Sequence, residues 1–331
     1  MHMPDGILPL GQAIVYLVIA VIMILVAIWQ SRSRLTMKQI PLIGVLAAGL
    51  FAAQMFNFPV PFGSSGHLIG TALATTLVGP WVAMLIISSI LIVQAMFGDG
   101  GFLAYGANVI NMAIIGALTT YAIYYFLPKK WKEDRKKLAI ASGFAAFFST
   151  IFMAFFASIE LTLAQSAAAG LIFSWMLILH SIIGVAEGLI TFAIVFFVFR
   201  AEPSLFEDAK SALFFTKKAD FETEPKFRIP IWAGIATFAS FAVMSIFGIV
   251  ASSNPDGLEK TFEVLADNGI DVTVLESGIF GFPEGLGWDI LSMAIVMIIL
   301  FFVLIGFSYL LYRFRLYKFK KGKQTVQENS E

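Results

Sequence analysis

Apolar runs long enough to cross a bilayer alternate with short polar segments along most of this chain. A spanning helix needs about 20 mostly apolar residues. Clear runs cover residues 12–29, 39–56, 106–127, 138–158, 171–199, 229–250 and 290–312. The stretch 67–97 is long for one span and short for two, and Gly79–Pro80 interrupts it.

Charge placement decides between the two readings, because lysine and arginine favour cytoplasmic loops. The cationic clusters are Arg32–Lys38, Lys129–Lys137, Arg200–Arg228 and Arg313–Lys323. If 67–97 is a hairpin of two short helices, all four fall on one side. They then hold 21 of the 22 Lys and Arg, and only Lys260 lies opposite. A single span would put Lys129–Lys137 opposite Arg32–Lys38. The hairpin is therefore preferred. The fold it predicts is an all-α integral membrane protein, a seven-helix bundle plus two further transmembrane helices. Such a chain is multi-pass in an inner or plasma membrane and in contact with lipid, with its N-terminus outside and its C-terminus cytoplasmic.

Residues 1–200 are the seven-helix module, 201–227 a cytoplasmic linker, 228–315 a two-helix module and 316–331 a cytoplasmic tail. Within the linker, "SLFEDAKSALFF" could form an amphipathic surface helix, but its mixed charge favours a solvated linker. The outer loop 251–287 is acidic and glycine-bearing, and is expected to form a small ordered cap or a mobile flap. The final "GKQTVQENSE" reads as a disordered tail. No long internal repeat is visible.

Composition agrees with the pattern. The chain has 331 residues, 59% of them hydrophobic and only 13% charged, against about 25% charged in soluble domains. Its net charge is zero, which gives no sign of nucleic-acid binding. It has no cysteine, so disulfides, thiolate metal sites and cysteine nucleophiles are excluded. The sequence lacks a G-x-x-x-x-G-K-[ST] loop, an H-E-x-x-H pair and a G-x-S-x-G elbow. The opening residues "MHMPDGILPL" carry no basic n-region or cleavage site, so Met1 is expected to be the mature terminus. The bulk of His2 should also protect Met1 from the aminopeptidase that removes initiator methionine.

The histidines are His2, His67 and His180. On this topology His2 and His67 lie on the outer side, and His180 lies deeper. A free Met1 amine, the His2 amide and the His2 Nδ1 can close on one metal as fused chelate rings. His67 is the natural fourth nitrogen. Four nitrogens in a plane favour Ni(II) or Cu(II), whereas Zn(II) prefers a tetrahedron. The bland reading stands beside this one: a terminal Met-His occurs by chance, and a loop histidine is often only a hydrogen-bonding group. "PDG" at Pro4–Gly6 is a turn signal that could fold the terminus back into the protein. Asp5, Ser64, Asp99, Asn108, His180 and Glu187 are candidates for bracing ligands or lining a path. For His180 with Glu187, and for Asn108 with Asn111, helix bracing is as natural a reading as transport.

Four stretches carry a resemblance. "MHMPDGILPL", "PFGSSGHLIGTALATTLVGP", "QAMFGDGGFLAYGANVINM" and "HSIIGVAEGLIT", spread over residues 1–200 and in order, resemble the substrate-binding subunit of nickel and cobalt energy-coupling-factor transporters, the NikM/CbiM family. "SSNPDGLEKTFE" resembles the PDGLE domain of the small NikN-type subunit, over about 228–315. The resemblance implies a NikM–NikN fusion whose N-terminal loop inserts into a seven-helix bundle. It implies Ni²⁺ or Co²⁺ as transported substrate, held by the Met1 amine, the His2 amide and imidazole, and the His67 imidazole. It also implies a transmembrane coupling subunit and two cytoplasmic ATPase subunits as partners, and the PDGLE module favours nickel. The second module has no histidine or cysteine and is expected to supply no in-plane ligand. Two other readings are an ion-coupled secondary transporter, which would want inverted repeats, and a metalloenzyme using His67, His180 and Glu187, which the expected depths oppose.

Overall fold

The computed structural model describes residues 1–32, 35, 39–165, 168–215, 235, 252, 254–270, 272–274 and 294–314. The predicted span 229–250 (apart from Ile235), the linker after 215, most of the outer loop from 271 to 287 and the tail 316–331 lie outside the described residues.

The first seven helices are α1 (Leu10–Arg32), α2 (Gln39–Gln54), α3 (Thr71–Val78), α4 (Pro80–Met96), α5 (Tyr105–Phe126), α6 (Arg135–Ala164) and α7 (Ala169–Ala201). Then come α8 (Pro203–Phe214), α9 (Gly257–Asp267) and α10 (Ala294–Phe314). Helices α1, α5, α6, α7 and α10 are long and apolar enough to cross a bilayer.

The hairpin turns at Gly79. Its φ of 81° is left-handed, and Pro80 opens α4 where a missing N–H is harmless. Helix α3 has 8 residues, all buried. At 1.5 Å per residue it is about 12 Å long, far short of the bilayer core, so it ends inside the bundle against α4, α5, α6 and α7. That is why 67–97 has too many residues for one span and too few for two. The long pair α6 and α7 pack on each other, and the buried stripe of α6 is rich in alanine and serine, as close packing in lipid requires. In α5, Val109–Ile115 is π-helical, and nothing in the residue pattern announces it. Helix α10 lies on α2, with Phe301 and Ile305 closing over Gly44.

One local feature differs from expectation. Residues 203–214 are a helix rather than a solvated linker: Phe206, Ala209 and Leu213 bury one stripe beneath the α3–α4 turn, where Ala212 O comes within 2.8 Å of the space a Gly79 side chain would need. Charge masked this amphipathic period, because Lys210 pairs with Glu133 at 2.6 Å and Glu207 at 3.2 Å and so belongs to the contact. The loop before His67 is also ordered. It forms an antiparallel hairpin, β1 (Phe58–Val60) and β2 (Ser64–Gly66), which its prolines argue against in sequence.

Candidate metal centre

The first nine residues form no helix, yet Met1, His2 and Met3 are buried. Asp5 in the Pro4–Gly6 turn anchors them. Its carboxylate accepts from the backbone N–H groups of Phe102, Leu103 and Ala104 at 3.0, 2.8 and 3.0 Å. These three N–H groups lie just before α5, so Asp5 ties the terminus to the loop that leads into that helix. Asn108 grips Met3 from both sides, accepting from its N–H at 2.7 Å and donating to its carbonyl at 3.0 Å. Gly101 N–H adds a bond to the same carbonyl at 2.8 Å. Asn108 therefore binds the terminus rather than a neighbouring helix. Asn111 does bridge helices, donating to Glu160 of α6 at 2.6 Å.

This threading brings His2 to His67. Their rings stack at 4.9 Å with 13° between planes. The Met1 amine lies 3.3 Å from His67 Nε2. His2 Nδ1 lies 3.1 Å from Asp99 Oδ1, and Gln94 donates to Asp99 at 3.1 Å. Among the described residues, the buried His2 Nε2 and His67 Nδ1 find no hydrogen-bond partner.

Glu187 does not face the histidines. It accepts from Ile69 and Gly70 N–H at 2.8 and 2.7 Å, which fixes the chain between His67 and α3. His180 bonds the Met176 carbonyl through Nδ1 at 2.8 Å and lines, with Met1, His67, Ile183, Asp256 and Gly257, a cavity of about 10 Å³. His67 and His180 thus meet at one depth, contrary to expectation. The loop carrying His67 folds down into the bundle, and α7 begins 11 residues before His180. Ser64 leads elsewhere, donating to the Pro255 carbonyl at 3.2 Å.

One residue at the centre was missed from sequence. The Asp256 carboxylate pairs with the Met1 amine, and its Oδ2 is 3.9 Å from His67 Nε2. The signal available was "DGLE", an Asp-x-x-Glu capping box, and the box does open α9. That pattern predicts a helix start, but nothing in it points to Met1.

The electrostatics suit a nitrogen site. Burial first, then the Met1 amine and His2, lower the His67 pKa from 6.5 to about 3, so its ring is neutral and able to bind a cation near neutrality. Burial alone would raise the Asp256 carboxyl, but the amine and His67 hold it well below the usual carboxylate range. Between pH 6.5 and about 3 the unfolded chain protonates the His67 imidazole and the folded chain does not. Stability from this group therefore falls as pH falls through that window. The metal-free melting temperature in detergent is expected to drop on acidification from about pH 7 to 4, and to drop less in His67→Gln. Equal drops in the two proteins would remove His67 as the cause.

Among the described residues, no three His, Cys, Asp or Glu side chains converge closely enough to hold a metal by themselves. Adjacent nitrogens each about 2.0 Å from a metal in a square plane are about 2.8 Å apart. The 3.3 Å between the Met1 amine and His67 Nε2 is close to that spacing.

The chain is similar to known metal transport proteins. The chain is 34% identical over 214 residues to a putative fused nickel transport protein NikMN of Archaeoglobus fulgidus, covering 62% of this chain and 68% of that one. It is 28% identical over 301 residues to the fused nickel transport protein NikMN of Rhodobacter capsulatus, covering 86% and 83%. To the cobalt transport protein CbiM of Clostridium tetani it is 32% identical over 210 residues, covering 60% and 85%. A crystal structure described as a truncated transition metal transporter matches with a TM-score of 0.55 at 29% identity, over 61% of this chain and 99% of that one. The family described as the cobalt uptake substrate-specific transmembrane region, CbiM, matches residues 2–205. The chain belongs to that family, as a membrane component of metal uptake to which a second domain is fused.

Proposed function

We propose that this protein captures Ni²⁺ at the outer face of a cell membrane for an ATP-driven energy-coupling-factor importer. The ion is held in a plane by the Met1 amine, the His2 amide, the His2 imidazole and the His67 imidazole. The observation that carries this reading is the buried meeting of the Met1 amine with a neutral His67, 66 residues away in sequence. An amine adjacent to an amide and followed by histidine offers two fused chelate rings, and His67 completes the plane favoured by Ni(II). Asp99 faces His2 Nδ1, so on this reading that pairing yields when the ion enters.

Hydrolysis of ATP falls to two cytoplasmic ATPase subunits, which act through a transmembrane coupling subunit. The N-terminus lies outside and the C-terminus in the cytoplasm. Co²⁺ is the second reading, supported by the relatives named as cobalt transport proteins. Elemental analysis of the purified protein, with an untagged terminus and after growth with both metals, should find about one nickel per chain. Cellular uptake should require the co-expressed ATPase. Cobalt in place of nickel would select the second reading, and uptake by this chain alone would reject ATP coupling.

A further inference from the structure

We propose that Asp256, supplied by the second module, is the positioning residue of the metal centre: its carboxylate orients the Met1 amine. This rests on the reading of that amine as a ligand. Asp256 is held so that its two oxygens do different work. Oδ1 accepts from Leu258 and Glu259 N–H at 2.8 and 2.9 Å, capping α9. Glu259 returns the contact, accepting from Asp256 N–H at 2.7 Å. Those three bonds fix the carboxylate on a rigid helix start and leave Oδ2 for the Met1 amine.

An amine ligand has one lone pair and can rotate about its Cα–N bond. A carboxylate holding one of its N–H bonds removes that freedom and aims the lone pair. Metal-bound histidines are commonly oriented in the same way by a carboxylate behind them. Here the lone pair is aimed beside His67 Nε2, where the ion must sit.

The rest of the segment fits the task. The Asn254 and Pro255 carbonyls accept from Ser65 Oγ and N–H at 2.7 and 2.8 Å. Ser65 is two residues from His67, so one stretch of the second module braces both sides of the site. Gly257 lets α9 come this close, since a Cβ there would lie 2.9 Å from His180 Cε1. Asp256 and Gly257 are thus accounted for by their side chains, while Asn254 and Pro255 contribute main-chain carbonyls.

The test uses the full-length protein with its native terminus, titrated with nickel. Asp256→Asn keeps the cap, because asparagine caps helices as well as aspartate does, but it places an NH₂ where Oδ2 met the amine. Asp256→Ser keeps a capping oxygen too short to reach the amine. Both variants should bind nickel about 10–100-fold more weakly, the loss typical when the group behind a ligand is removed, and a role confined to holding α9 predicts no such loss. Wild-type affinity in both would overturn the proposal. If the wild type binds no nickel, the metal reading itself fails, and hydrogen exchange of residues 1–8 then decides on Asp256. Faster exchange in Asp256→Asn supports positioning of the terminus by the carboxylate, and unchanged exchange overturns it.

Discussion

One alanine placed before Met1 is expected to abolish nickel binding while leaving both imidazoles in the protein. The added residue converts the amine into an amide and moves the free amine one residue away from His2. The fused rings that join amine, amide and Nδ1 can then no longer close on one ion. The structure adds a steric reason. Met1 is 4% exposed, its amine faces Asp256 and His67, and the adjoining cavity of about 10 Å³ has room for about one water. An extra residue must push the terminus out of the bundle or displace Asp256 and α9. If imidazoles alone held the metal, the extension would change little. Elemental analysis separates the two cases, and the yellow-orange absorption of planar Ni(II) should vanish with the bound metal. Stoichiometric nickel in the extended protein would show that the amine is not a ligand.

The second large effect is expected at His67. On the proposed reading, His67→Ala removes the fourth in-plane nitrogen and should leave purified protein with almost no nickel. The fold should survive, because the side chain gives the protein little support. Its Nε2 meets the Met1 amine at a long 3.3 Å, its Nδ1 has no partner among the described residues, and its stacking on His2 is worth about 1 kcal/mol by analogy with aromatic pairs. The loop is held independently through Ile69 and Gly70 on Glu187 and through Ser65 on the Asn254 carbonyl. Nickel loss should far exceed that in Asp256→Asn, since one change deletes a ligand and the other only frees one to rotate. Unchanged metal content in a well-folded His67→Ala protein would sink its assignment as a ligand.

Much of this molecule was legible in its residues. The apolar runs marked α1, α2, α5, α6, α7 and α10 to within a few residues at most ends, because a bilayer imposes a length and a polarity that one-dimensional reading detects. The charge imbalance located the turn at Gly79–Pro80, because loop charge sorts by side. The proposed His2 chelate could be written down from sequence because its atoms belong to consecutive residues, which covalent geometry alone brings together.

Contacts between distant segments were not legible. Asp5 holding the loop before α5, Asn108 gripping Met3 and Glu187 holding Gly70 join residues about 100 or more apart in sequence. A turn signal or a buried carboxylate announces a need for a partner without naming it. The helix at 203–214 was misjudged for the same reason: its apolar stripe counts only once α3 ends above it. The clearest case is Asp256. Its sequence specified a helix cap, and Oδ1 fulfils that locally. Only packing put Oδ2 beside the Met1 amine, 255 residues away, because the partner of a buried charge is set by where folding leaves an opposite charge in reach, and local sequence carries no record of that place.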